Sequence, residues 1–379
     1  MIPIKSAQDP LRLERFLEQD ARNVQLLSDC AGAWLDQGNI EKAKQIASRI
    51  VDLNTSDAKA LFTVSSVYMA GGMFSDAASI LSSLHKQDKD NFGIAYNLSY
   101  CLTMQSQFIE ALEILSELSP SLYSNDHHLC LLHGTALHFC GRADEALEVI
   151  GRYSGAPSSE LHGLAALLSF DMQNYEESRK HATLSLSLDS DTISARITQG
   201  FLLLQSNEPG QAGPIFLKVL ECHPLERRAL TGAALSFMTK ADAGRATEYL
   251  VKALDLDGAD IALLNALAWC HLISESVKNA KETWQKALDI DRNFAELHGG
   301  MAVAFICDGD KANAEKSIKR ALKLDPDCYS ARFARIFLLN LEASPETANL
   351  LLSDMLDTAL PNSEITLRSA IQRHFVGQK

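Results

Sequence analysis

At 379 residues the chain has room for two or three ordinary domains or for one extended repeat array. An apolar fraction of 46% and a charged fraction of 22% are those of an ordered protein rather than a disordered one. A net charge of −13 argues against nucleic acid and against anionic membrane surfaces, both of which recruit clustered Lys and Arg.

The opening MIPIKSAQDP has no apolar core of signal-peptide length, so residues 1–23 read as an extension or a capping helix. From Val24 onward an internal repeat takes over. The alanines of GQAGPIFLKVLECHPLE, GRATEYLVKALDLDGAD and KNAKETWQKALDIDRNF, namely Ala212, Ala246 and Ala280, lie 34 residues apart, and Ala314 and Ala348 continue the series. Walking backwards, the same position holds Ser178, Ala146, Ala111, Ala77 and Ala43. The spacing is again 34 from Ala43 to Ala111, then 35 to Ala146 and 32 to Ser178. The slip coincides with two turn-rich stretches, Ser119 to Asp126 and Gly151 to Ser158. We therefore expect four repeats over residues 24–153, six over 159–362, and a capping helix with a tail over 363–379, where ITLRSAIQRHF (Ile365 to Phe375) is amphipathic. That last helix is expected either to cap the final repeat or to fold into a groove.

A second set of positions keeps the same register. Small residues recur at Ala31, Ser65, Ser99, Gly134, Ala166, Gly200, Ala234, Ala268 and Ala302, with a large one three further on at Trp34, Tyr68, Leu102, Leu137, Leu203, Phe237 and Phe305. Small residues let antiparallel helices approach closely, and bulky ones fill the space beside them. Gly38, Gly72, Gly141 and Gly309 fall between the two helices, where a left-handed residue is wanted. The LDLD, LDID and KLDP segments stop the second helix and supply an acid able to cap the next. This pattern, with Pro224 and Pro326 near the ends of second helices, resembles the tetratricopeptide repeat family over about nine-tenths of the chain. The tenth unit departs from it with Ile336 at a small position, as terminal repeats do. In the sixth, Pro209, Gly210, Gly213 and Pro214 crowd the start of the second helix and predict a frayed start there, the alternative being a functional hinge. The expected fold is all-α: a right-handed superhelical solenoid of about ten antiparallel helix pairs.

The resemblance implies that the first helix of each pair lines a concave, ligand-binding face. Those positions are unexpectedly apolar: Tyr96, Tyr100, Leu131, Phe139, Leu167, Phe170, Ile197, Phe201, Leu204, Leu235, Met238, Trp269, Leu272, Ile306, Phe333 and Phe337, with Val303 beside them. The bland reading is that some pack against the neighbouring repeat. The sharper one is an apolar groove for an amphipathic helix or extended segment of another protein. A carboxylate clamp is disfavoured, because its cations and amides would have to come from Lys59, Arg228 and Asn97, scattered over different units.

Little in the sequence points to chemistry. Eight cysteines at irregular spacings contain no CxxC pair, and several fall at core positions. His127, His128, His133 and His138 crowd the fourth unit, but His133 and His138 are five apart, not the three or four that put two metal ligands on one face. GxSxG, GxxxxGK[ST], HExxH and GxGxxG motifs are all missing. The longest nearly apolar run, Ile261 to Ile273, is well short of the ~20 residues that span a bilayer. The expectation is a cytoplasmic, non-enzymatic scaffold or chaperone with no cofactor, no metal, no nucleic acid and no membrane insertion. A peptide-responsive signalling regulator acting through a partner chain, or a self-assembling structural protein, are the alternatives, so self-association stays open.

Overall fold

The structure is a computed structural model and describes residues 9–256, 258–341 and 345–357. The helix expected over 365–375 lies outside the described residues. All regular secondary structure among the described residues is helical: twenty-one α-helices and one 3-10 turn, Pro120–Ser124. The chain divides into two compact units, 1–192 and 193–379.

In the first unit a leading helix, α1 (Pro10–Gln19), is followed by five antiparallel pairs. These are α2 (Val24–Asp36) with α3 (Ile40–Asp52), α4 (Ala58–Ala70) with α5 (Phe74–Gln87), and α6 (Phe92–Met104) with α7 (Phe108–Ser116). Then come α8 (His127–Phe139) with α9 (Ala143–Gly151) and α10 (Ser159–Asp171) with α11 (Tyr175–Leu188). The second unit holds five more: α12 (Ile193–Gln205) with α13 (Pro209–Cys222), α14 (Arg227–Met238) with α15 (Ala243–Leu256), and α16 (Ile261–Ile273) with α17 (Val277–Ile290). The last two are α18 (Ala295–Cys307) with α19 (Lys311–Leu324) and α20 (Tyr329–Leu341) with α21 (Pro345–Asp357).

The seam of each pair is built from the small residues that the sequence repeats. Ala43, Ala77, Ala111, Ala146, Ser178, Ala212, Ala246, Ala280, Ala314 and Ala348 are all 0% exposed. At several glycines the approach is closer than any side chain allows, Gly299 and Gly300 among them. A Cβ on Gly299 would sit 2.6 Å from the backbone nitrogen of Ala331, and one on Gly300 would lie 2.4 Å from the Trp284 ring. First helices of neighbouring pairs also lie side by side, α2 on α4, α6 on α8, α8 on α10, α12 on α14, α16 on α18 and α18 on α20.

Each first helix of the first nine pairs closes the same way. The residue seven after the small position has positive φ: Gly38, Gly72, Ser106, Gly141, Gln173, Asn207, Ala241, Glu275 and Gly309. The next amide donates back to the carbonyl five residues earlier, as from Asn39 to Trp34 and from Asp310 to Phe305, which is a Schellman closure. Four of these positions hold the predicted glycine, and five adopt the strained conformation without one.

Entry to the first helices relies on side-chain caps. Asp57, Asp126 and Asp260 accept from the amides of Ala60, Leu129 and Leu263 at 3.0, 3.0 and 3.1 Å. The acids at the ends of LDID and KLDP, Asp291 and Asp325, instead accept from the amides of Asn293 and Asp327. The cap of α20 comes from the preceding pair, where Glu296 accepts from the Tyr329 and Ser330 amides and from the Ser330 hydroxyl. The frayed start expected in α13 does not occur. Pro209 occupies the first helical position, where its missing N–H costs nothing, and Pro214 sits exposed within the helix.

The register slip has a local cause. The second helices α7 and α9 have 9 residues each, against 13 or 14 in every other pair. The 3-10 turn follows the shortened α7 and inserts Tyr123, 1% exposed, beneath α8.

Candidate functional site

Four of the sixteen residues expected to line a groove are core side chains: Tyr96, Leu167, Ile197 and Ile306 are 2–8% exposed. Ten are half-buried, and Phe139 and Phe333 are exposed. Twelve of the sixteen thus keep some solvent-facing apolar surface. The bland reading applies in full to the other four.

In the first unit part of the exposed apolar surface lies beside the turns that end the first helices. Phe139, at the end of α8, stacks on Phe108 at the start of α7, with ring centres 4.6 Å apart. Phe170, at the end of α10, meets Tyr175 at 5.4 Å. Met104, Ile109 and Met172 are exposed at corresponding turns. Further along the helices, Tyr100 meets Phe74 edge-on at 6.1 Å, and Leu131 is half-buried on the α8 core. Tyr96 is buried deeply enough to push its phenol up to about 12, desolvation being the main cause.

In the second unit the half-buried row runs along the first helices. Phe201 on α12 packs edge-on against buried Phe216 at 5.1 Å and lies beneath the Arg228 guanidinium at 5.5 Å. Leu204 lies on the same helix, and Leu235 and Met238 lie on α14. Trp269 and Leu272 on α16 pack against Val303 and Ile306 of α18, and Phe337 on α20 joins the same cluster. Phe333, 42% exposed, lies 6.3 Å from Phe337.

The polar candidates do not form a clamp. Asn97 is 0% exposed, Lys59 faces Asp29 at 3.7 Å, and Arg228 lies over the Phe201 ring. Nor do the histidines of the fourth repeat converge. His127 and His138 face Glu160 and Asp171 on α10 at 3.7 and 3.8 Å, and His133 is bonded to Tyr123 at 2.7 Å. A contact between His162 and His181, 3.1 Å apart, joins α10 to α11 and was missed, because 19 residues separate them and no local spacing marks the pair. Burial pushes the thiols of Cys101 and Cys328 up to about 12, so they stay protonated.

Comparison with known proteins agrees with the pair architecture. A family model of the tetratricopeptide repeat matches residues 295–328, the pair α18–α19 with its turns. The match covers one repeat, and the fold is that of tetratricopeptide-type helix pairs. Among solved structures, a monomeric mutant of IFIT1 with m7Gppp-AAAA is similar at 14% identity over 90% of this chain and 93% of that one, with a TM-score of 0.51. That likeness is one of fold. A crystal structure of MamA is similar over 45% of this chain and 92% of its own, at 14% identity and a TM-score of 0.38. A MamA fragment from Desulfovibrio magneticus gives 17% identity over 44% of this chain and 95% of its own, at 0.40. No curated protein matches the sequence. Among the described residues, no helix is long and apolar enough to cross a membrane.

Proposed function

We propose that the chain is a cytoplasmic, non-enzymatic scaffold or chaperone whose second unit holds an apolar or amphipathic segment of a partner protein along its first helices. The observation that carries this reading is the row of half-buried and exposed side chains Phe201, Leu204, Leu235, Met238, Trp269, Leu272, Phe333 and Phe337. Completing the burial of a large half-exposed apolar side chain is worth roughly 1 kcal/mol, so several together support micromolar binding after the cost of association. A helix presenting apolar residues at i, i+3, i+4 and i+7 suits such a row. The net charge of −13 favours a protein occupant over a nucleic acid.

The test is capture from native lysate by the wild type and by a Leu235→Glu/Phe333→Glu double variant, with identification by mass spectrometry. Both positions are partly exposed, so helical circular dichroism is expected to be unchanged while partner recovery falls at least tenfold. Equal recovery by the two proteins would remove the first-helix row from the interaction. Recovery of the chain's own copies alone would replace the partner by self-assembly.

A further inference from the structure

A cavity of about 650 Å3 opens in the first unit where the shortened helices α7 and α9 leave a gap beside α8. Its size lies within the roughly 300–1,000 Å3 typical of small-molecule sites. It lies among the second helices of the third and fourth repeats, so it does not involve the partner-binding row proposed above.

One wall carries a buried histidine whose second ring nitrogen bonds to none of the described residues. His133 is 9% exposed, and its Nδ1 lies 2.7 Å from the Tyr123 hydroxyl. That hydroxyl has a single proton, which it donates to the Leu115 carbonyl at 2.9 Å. The Tyr123 oxygen must therefore accept from His133, which puts the imidazole proton on Nδ1 and leaves Nε2 as a lone-pair acceptor. Burial holds the imidazole neutral, lowering it to about 4, and the nearby Arg152 and Arg142 charges act in the same direction. Nε2 makes no hydrogen bond yet keeps some exposure, on a residue that lines the cavity.

The charged groups at the cavity are also incompletely matched. Arg142 and Glu145 neutralise each other through two bonds of 2.6 Å. Arg152 makes no ion pair among the described residues, and its guanidinium lies 5.9 Å from the centre of the Tyr123 ring. Glu113 and Glu148 line the same space and make no ion pair among the described residues either. Leu112, Leu137 and Val149 supply an apolar floor, all 8% exposed or less.

We propose that this cavity binds a small zwitterion with an apolar side chain, of amino-acid or dipeptide size. Its carboxylate meets Arg152, its ammonium meets Glu113 or Glu148, an N–H donates to Nε2 of His133, and its side chain rests on the leucines and Val149. A purely anionic ligand would face two uncompensated glutamates, and a purely cationic one would leave Arg152 unmatched.

The experiment is isothermal titration of the full chain with leucyl-leucine, its N-acetyl derivative and its carboxamide. The free dipeptide is expected to bind, and capping either end is expected to weaken binding at least tenfold. Arg152→Gln, at an exposed position, should weaken the free dipeptide by at least tenfold and leave the carboxamide unchanged. His133→Leu should also lose binding, and Arg152→Gln decides the matter if that buried variant misfolds. The Leu235→Glu/Phe333→Glu protein should bind the dipeptide as the wild type does, whatever becomes of partner capture. Absence of binding at millimolar dipeptide, equal binding of the capped forms, or an unchanged Arg152→Gln protein would each overturn the proposal.

Discussion

The fourth and ninth repeats use one plan with different fillings. In the ninth, α18 and α19 are 13 and 14 residues long and the interior is closed. Gly299 and Gly300 let the Ala331 backbone and the Trp284 ring come to distances that leave no room for a methyl group. In the fourth, α9 has only 9 residues, and polar groups occupy the space of its missing turn. Tyr123, His133 and the Arg142–Glu145 pair line that space. A solenoid is held together by its nearest-neighbour seams, so one unit can shorten a helix and gain a cavity while its neighbours keep the stack. The closed repeat serves stability, and the open one has room for a ligand.

The sharpest way to break this contrast is to add one methyl group to each repeat. Gly299→Ala forces the new carbon against backbone, which has no rotamer to yield, and should cost about 3 kcal/mol. Gly134→Ala on α8 is tight only against the end of the Leu164 side chain, at 3.1 Å, with Ile150 at ordinary contact distance. A small adjustment of that leucine, set against a gain in helix propensity of about 1 kcal/mol, should leave the variant near neutral. Urea unfolding of both variants measures the difference. Equal losses would mean that the fourth repeat is packed as rigidly as the ninth.

The part of the fold that the sequence showed was the part that repeats. Ten alanine or serine anchors, 34 apart except around the fourth repeat, mark the helix pairs, because a position that must stay small in every seam leaves the same mark each time. The face of the first helices was less legible. A large apolar residue such as Ile197 or Ile306 looks the same in sequence whether it packs on the next first helix or faces a groove, and both prove to be core. The cavity at His133 was not legible at all. It depends on the length of α9 and on a tyrosine ten residues upstream, neither of which a local motif records. The histidine crowding was noticed, but spacing could test it only for metal binding.

An effect of intermediate size follows from the same histidine. His133 is lowered from the usual 6.5 to about 4 in the folded chain, mainly by burial, so the unfolded chain takes up its proton first. The neutral imidazole is therefore destabilising to protonate: above about pH 6.5 the folded state carries no penalty, and stability falls as the pH drops toward 4. The loss should reach roughly 2 kcal/mol, allowing for partial solvent access. Denaturant unfolding of the wild type and of His133→Leu between pH 7 and pH 4 isolates this contribution. If the two curves keep the same separation across that range, the imidazole is not held neutral by its surroundings.

The smallest effect concerns the turns, where all nine repeats behave alike in geometry but not in sequence. Gly309, at φ 77°, pays nothing for the left-handed conformation, whereas Ala241, at φ 55°, carries a Cβ that crowds its own carbonyl. Gly309→Ala should therefore lose about 1 kcal/mol and Ala241→Gly should gain somewhat less, because added glycine also frees the unfolded chain. Opposite signs in the unfolding midpoints of these two single variants would show that the closure imposes the conformation on whichever residue occupies it. Matching signs would mean that the seventh and ninth repeats end their first helices for different reasons, despite sharing the carbonyl bond from Asp242 to Phe237 and from Asp310 to Phe305.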